Sequence, residues 1–288
     1  MNGITIQAPA KVNLYLRIIG RRADGYHLLD SLMVPVSLCD ALTITVSGGR
    51  PELVVTCDDP AVPGGETNLA YKAAALLCGE TGVRAKIAIA LRKQIPAGAG
   101  LGGGSSDAAA VLKGLNALLS LRLSEDQLCP LAARLGADVP FFIPCRPAKV
   151  AGVGEILTAV PPLPSRWLVI VVPPFGVSTP WAYRRFDELS PPAMLQTNVA
   201  SQPPTNPWAR EVLINDLERA VLPEYPQIER IKEQLLRLGA DGALMSGSGS
   251  AVFALFHKQA VAEQARRALT DQGKTFLATP LTGPPTTA

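Results

Sequence analysis

Between residues 11 and 19 the chain alternates, with Val12, Leu14, Leu16 and Ile18 on one side and Lys11, Asn13, Tyr15 and Arg17 on the other. A period of two predicts a strand with one buried face. Residues 41–47, 52–57 and 85–92 are rich in β-branched side chains and predict further strands. Asn68 stands just ahead of Leu69, Ala73, Leu76 and Leu77, the position and residue type of a helix N-cap. A glycine-rich loop, PAGAGLGGG, occupies residues 96–104, and Ala109, Leu112, Leu115 and Leu119 then recur at helical spacing from Ser105 onward. Another helix is predicted from Ser124 to about Leu135, ending at Gly136. The second half restarts with strands at 155–160 and 167–172, then helices at about 209–222, 226–238 and 259–272. A second glycine–serine stretch, SGSGS at 246–250, precedes an apolar strand, AVFALF. Residues 190–208 are rich in Pro, Ser, Thr and Asn and predict a mobile loop, and the tail from Gly283 is expected to fray. No internal repeat is visible.

Composition narrows the picture. A chain of 288 residues can hold one large or two medium domains. With 48% hydrophobic and 18% charged residues it is neither a disordered chain nor a coiled coil. A net charge of +3 argues against a nucleic-acid partner. The five cysteines are scattered with no C-x-x-C pair, and His27 and His257 are the only histidines, so a protein-built metal site is not expected. The N-terminus lacks the pattern of a signal peptide, and no apolar run approaches the ~20 residues of a membrane span. These features predict a cytoplasmic protein of a reducing compartment, with no membrane association.

The glycine loop carries the first candidate chemistry. Gly98, Gly100 and Gly103 match the dinucleotide fingerprint in form, but the acidic residue expected about 20 positions on at a strand end has no counterpart. A Walker A motif is absent, because no lysine follows the glycines. What remains is a strand, a glycine loop and two serines opening a helix. Such a unit is an anion site: glycines let the backbone approach closely, and the helix N-terminus offers free N–H groups. Ser105 or Ser106 can donate to a phosphate or ligate Mg²⁺. Asp107 fits a helix start as well as a metal role. Lys11 is one candidate for neutralising phosphate charge, although a lysine on a polar strand face is more often solvated.

Three segments together carry a resemblance. PAKVNLYL near the start, PAGAGLGGGSSDAAA at 96–110 and ALMSGSGSAVFALF at 243–256 resemble the three motifs of the small-molecule kinase superfamily that includes galactokinase, homoserine kinase, mevalonate kinase and phosphomevalonate kinase (the GHMP kinases). RRADGYHLLDSLM at 21–33, GADVPFF at 136–142 and GVGE at 152–155 resemble the branch that phosphorylates a cytidine diphosphate ester of methylerythritol in the non-mevalonate isoprenoid pathway.

The resemblance implies an α+β fold of two domains. Residues 1–155 would form a mixed-sheet, ATP-binding domain like one found in ribosomal proteins, and residues 156–288 a ferredoxin-like domain. It implies transfer of the γ-phosphate of ATP, with Mg²⁺, to a tertiary hydroxyl of the cytidine diphosphate methylerythritol acceptor, by a monomer or homodimer. Asp138 matches the family's catalytic aspartate and Lys11 its catalytic lysine. The ATP-binding loop would comprise Pro96, Ala97, Gly98, Ala99, Gly100, Leu101, Gly102, Gly103, Gly104, Ser105 and Ser106. Asn13, Tyr26, His27, Tyr183, Ser246 and Gly247 match substrate-binding positions, with two aromatic rings available to sandwich the pyrimidine. The run Asn215-Asp216-Leu217-Glu218 also resembles a family run but has no assignable chemistry. Two other readings are a homoserine or mevalonate kinase, whose acceptors carry no base, and a non-catalytic RNA-binding module, against which the low net charge argues.

Overall fold

The computed structural model describes residues 2–161, 164–190 and 212–285. Two antiparallel strands dominate its first sheet: β1 (Asn2–Arg21) and β2 (His27–Ser47), paired along nearly their whole length with three register shifts. Strand β3 (Glu52–Cys57) runs parallel to β4 (Lys86–Arg92), and β4 is antiparallel to β2. The hairpin β5 (Ala148–Gly152) and β6 (Ile156–Ala159) branches from β2. The sheet is therefore mixed, and the expected division at 155/156 falls inside this hairpin. The change of sheet comes after Ala159.

Helix α1 (Leu69–Thr81) is capped as the sequence predicts, with the Asn68 side chain accepting from Ala70 N at 2.8 Å. Helix α2 (Gly103–Leu118) packs with α1 on the sheet. It lies close because Gly114 has no side chain. A Cβ there would stand 2.6 Å from Ile44 Cδ1 and 2.7 Å from Ile6 Cδ1. Helix α3 (Glu125–Ala133) starts with a capping box between Ser124 and Gln127.

The second sheet contains β7 (Trp167–Val172), β9 (Gly242–Met245), β10 (Val252–Phe256) and β11 (Lys274–Ala278), in the order β11-β7-β10-β9 and all antiparallel. With α6 (Pro226–Arg237) after β7 and α7 (Gln259–Ala268) after β10, this is the ferredoxin-like β-α-β-β-α-β arrangement. Helix α4 (Thr179–Leu189), the two-residue strand β8 (Ile214–Asn215) and the single turn α5 (Glu218–Val221) lie between β7 and α6. A helix over 209–222 is therefore corrected for its described part: residues 214–215 pair in parallel with β1 at Tyr15 and Leu16. Residues 191–211, which include most of the expected loop at 190–208, lie outside the described residues.

The alternation in β1 predicts one buried face, but both are buried. From Ala8 to Leu16 every residue is buried, Lys11, Asn13 and Tyr15 included. Val12 and Leu14 join Leu168, Ile170, Phe253 and Leu255 of the second sheet in one core. Lys11 and Asn13 point the other way, into the site described next.

Candidate active site

A cavity of about 960 Å³ opens where the glycine loop, the start of α2, the Asp138 turn, α4 and the 246–250 turn meet. Lys11, Asn13, Tyr26, His27, Asp138, Tyr183 and Gly247 all line it, although they come from five separated stretches of chain. Pro96 through Ser105 line it as well, whereas Ser106 is buried in the helix.

Lys11 is 3% exposed and donates to Asn13 Oδ1 at 2.6 Å. Asn13 in turn donates to Ser31 Oγ at 2.9 Å, which donates to the Tyr15 carbonyl at 2.6 Å. This chain fixes the ammonium beside Asp138, whose Oδ2 is 3.9 Å from Lys11 Nζ. Burial pushes the Lys11 pKa down, and the Asp138 charge opposes that shift. The Asp138 side chain remains 34% exposed toward the cavity. An ammonium and a carboxylate at this separation can both reach one hydroxyl placed between them.

The Asp138 turn is held from behind by the 152–155 run. Gly154 has φ +129°, and a Cβ there would come 2.7 Å from the Ala137 carbonyl oxygen. Replacing Gly154 by alanine is thus expected to displace Asp138. Turnover should fall more than ~10-fold, and strain of ~1–3 kcal/mol should lower the melting temperature by roughly 2–8 °C. Steady-state kinetics and calorimetry on one preparation test this, and an unchanged kcat would refute it.

The glycine loop is shaped by its docking partner. Gly100 (φ +77°) has Ser246 where a Cβ would be, and the Ser246 hydroxyl donates to the Gly100 carbonyl at 3.0 Å. Ala251 N adds a bond to the Ala99 carbonyl at 3.1 Å. Ser246 is fully buried, so it braces the loop and, unlike Gly247 beside it, does not face the cavity. Helix α2 begins two residues before the expected Ser105, with Gly102 in the left-handed conformation as its N-cap. Its first turn closes with Ser106 N to the Gly102 carbonyl, leaving the N–H groups of Gly103, Gly104 and Ser105 without a partner inside the helix.

Sequence reasoning missed Lys93. Its ammonium lies between Asp40 and Asp107, 2.6 Å from Asp107 Oδ2, beside the start of α2. Asp40 also accepts from Gln94 N and Ile95 N. Two buried carboxylates share one ammonium, and Asp107 Oδ1 has no hydrogen-bond partner among the described residues. Burial, with the Asp40 charge, pushes the Asp107 pKa up to about 7 against the pull of Lys93. The folded state therefore holds a proton that the unfolded chain releases, so this group's contribution to stability is lost as pH rises from about 4 to about 7. Asp107→Asn should flatten that part of the stability profile and gain stability relative to wild type above pH ~7. Melting temperatures across this window test it, and parallel profiles for the two proteins would sink it.

The run at 215–218 also has a function here. Asn215 Nδ2 donates to the carbonyls of Met245 (2.9 Å) and Gly247 (2.7 Å). Asp216 accepts from Ile18 N, and Glu218 from Met245 N. These bonds staple the 246–250 turn to β1, which carries Lys11. At the far end of the cavity the ring of His27 stacks on Tyr183 with centroids 4.8 Å apart, and His27 Nε2 lies 2.6 Å from Asp187 Oδ1. Burial, with the Asp138 charge, raises the Tyr183 pKa far above its ordinary value.

Residues 68–145 match the family described as GHMP kinases N terminal domain, and residues 206–275 match GHMP kinases C terminal. The 4-diphosphocytidyl-2-C-methyl-D-erythritol kinase of Geobacter metallireducens is 44% identical over 283 residues, covering 96% of this chain and 98% of that protein. The enzyme of the same name from Syntrophotalea carbinolica is 47% identical over 249 residues, covering 86% of this chain and 88% of that one. A crystal structure of 4-(cytidine 5'-diphospho)-2C-methyl-D-erythritol kinase superposes with a TM-score of 0.80 at 38% identity, over 97% of this chain and all of that one. A homoserine kinase from Cytophaga hutchinsonii, at 20% identity and a TM-score of 0.74, shares the fold.

Proposed function

The chain belongs to the GHMP kinases and, within them, to the 4-diphosphocytidyl-2-C-methyl-D-erythritol kinases, and on that premise we propose which of its residues carry the reaction. The activity is ATP-dependent phosphorylation of the acceptor's 2-hydroxyl, a step of isoprenoid synthesis. The observation that carries the residue assignment is the single cavity joining a helix N-terminus, the Lys11–Asp138 pair and an aromatic end at Tyr26, His27 and Tyr183.

The triphosphate binds along the glycine loop, from Pro96 to Ser105. The free N–H groups at Gly103, Gly104 and Ser105 take its phosphate oxygens, and the helix dipole favours their charge. The apolar edge at Val62, Pro63 and Leu69 suits the purine. Mg²⁺ fits the site as a partner of the phosphates, because one or two protein oxygens suffice for it and Ser105 lines the cavity. When bound it supplies charge neutralisation. Asp138 accepts the proton of the attacking hydroxyl as the new phosphorus–oxygen bond forms. Lys11 stabilises the negative charge shared by that oxygen and the transferring group, and Asn13 holds Lys11 in place. The glycine loop is held beside Lys11 by the Lys11 N to Leu101 carbonyl bond (2.9 Å) and by the 246–250 turn, which is itself tied to β8 through Asn215.

The base of the acceptor lies against Tyr26 and Tyr183, with His27 at its edge. Tyr26 is 61% exposed and so is not a core residue. Tyr26→Ala should raise the acceptor KM about 5- to 150-fold, the worth of one stacking face, with the ATP KM nearly constant. An equal rise in both KM values would count against this pocket. The assay that tests the whole assignment offers ATP and Mg²⁺ with the cytidine diphosphate acceptor, mevalonate and homoserine in parallel. Only the first should be phosphorylated, and turnover of either other substrate at a comparable rate would overturn the reading. No helix among the described residues is long and apolar enough to cross a membrane.

A further inference from the structure

Asp187 is used by nothing described so far, yet both of its oxygens are engaged at the aromatic end of the cavity. Oδ1 lies 2.6 Å from His27 Nε2, and Oδ2 lies 3.2 Å from Arg21 Nη1. Arg21 Nε also donates to the Gly25 carbonyl at 3.2 Å, so one carboxylate ties the 21–27 segment to α4. Tyr183 and Asp187 are one helical turn apart on α4, which places both on the same face. That face presents a ring for His27 to stack on and a carboxylate to bond its edge.

We propose that Asp187 is a positioning residue that holds His27 as the Nε2–H tautomer, and thereby makes the pocket choose a pyrimidine bearing an amino group over one bearing a carbonyl. The proposal rests on the assignment of this end of the cavity to the acceptor's base. A carboxylate can only accept, so the proton of the neutral ring sits on Nε2 and the lone pair on Nδ1. The nitrogen left to meet a ligand is therefore an acceptor. The exocyclic amine of cytosine is a donor and satisfies it, whereas uracil has a carbonyl oxygen at that position. Two acceptors facing each other in a buried pocket leave both unpaired, which is the strongest way a site rejects a near-isostere. With the tautomer free to switch, Nδ1 could carry the proton and serve uracil equally well.

The experiment uses the full-length enzyme with ATP and two acceptors, the cytidine diphosphate ester and its uridine counterpart. Wild type should favour cytidine by at least ~10-fold in kcat/KM, the range of one such contact. Asp187→Leu should raise the cytidine KM about 10-fold and the uridine KM less than ~2-fold, with kcat and the ATP KM nearly constant. Asp187→Asn, whose carbonyl can still accept from Nε2–H, should recover most of the preference. An equal rise in both acceptor KM values, or an unchanged preference in Asp187→Leu, overturns the proposal. Nitrogen-15 chemical shifts of the His27 ring in the wild-type protein at about pH 8 give a second readout that needs no variant. A proton on Nδ1 there also overturns it. His27→Ala separates the two levels. If it leaves both acceptor KM values unchanged, His27 is not at the base and the pocket assignment fails, and the Asp187 proposal with it. If it abolishes the preference while Asp187→Leu does not, the pocket stands and the role of Asp187 falls.

Discussion

Asp138→Asn is expected to lower turnover by roughly 10²–10⁴ while both substrate KM values stay within about 3-fold, the behaviour of a lost general base. Asparagine has the same shape but cannot take a proton from the acceptor hydroxyl. The surroundings should survive the change. The Asp138 side chain is 34% exposed to the cavity and 3.9 Å from Lys11, so the pair is no tight buried ion pair whose loss would unfold the turn. Lys11 would retain its bond to Asn13. The melting temperature should therefore stay within ~2 °C of wild type. Single-turnover measurement with saturating ATP isolates the chemical step. A variant that keeps near-normal turnover would remove Asp138 from the reaction.

Gly104→Val should weaken ATP by ~10- to 150-fold if one phosphate contact is lost and by more than ~10² if two are, at ~1.5–3 kcal/mol for each hydrogen bond to a charged group. Gly104 lies in the first turn of α2, exposed at the cavity wall. A Cβ there meets nothing nearer than Leu69 Cδ1 at 3.6 Å, an ordinary contact, so the fold accommodates it. The branched side chain would stand where a phosphate must approach the free N–H groups. At Gly102 or Gly100 the same substitution would strain a left-handed residue and collide with its neighbours, so binding and folding could not be separated. Calorimetric titration with a non-hydrolysable ATP analogue tests the prediction. Equal losses for nucleotide and acceptor would point to damage to the fold instead.

The readings that held in the structure were local ones. Asn68 caps α1, the Ser124 helix begins where its capping box stands, and residues 226–238 carry the apolar stripe of α6. These signals depend on a few neighbouring residues. Failures came where a partner from elsewhere in the chain decides. Residues 212–217 have apolar residues that read as a helix, but Asn215 and Asp216 bond to the 245–247 backbone and to β1, and residues 214–215 are extended instead. Strands β5, β9 and β11 were not foreseen, since segments of four or five residues carry too few for a period to show. Helix α4 was missed because it buries only Ala182 and Phe186, too thin a stripe to read as a helical period.

The glycine loop and its helix were legible from the residues, because a close backbone approach demands glycine, whereas Lys11, Asp138, Tyr26 and His27 were grouped as candidates only by the resemblance of their motifs. Their juxtaposition was not legible. Lys11 reads as a solvated strand residue until β1 is seen buried on both faces, one against the second sheet and one under the glycine loop. Lys93 and Asp187 carry no sequence signal at all. A lysine after a strand and an aspartate late in a helix are ordinary surface residues, and only the close approach of Asp107 and His27 from distant positions gives them partners. The sequence by itself determined the repertoire of groups and the local elements that present them, since those follow from short-range sterics and hydrogen bonding. The tertiary structure alone decided which of those groups share a cavity, at what distance and in which protonation state, because burial and charge at a site are set by residues far away along the chain.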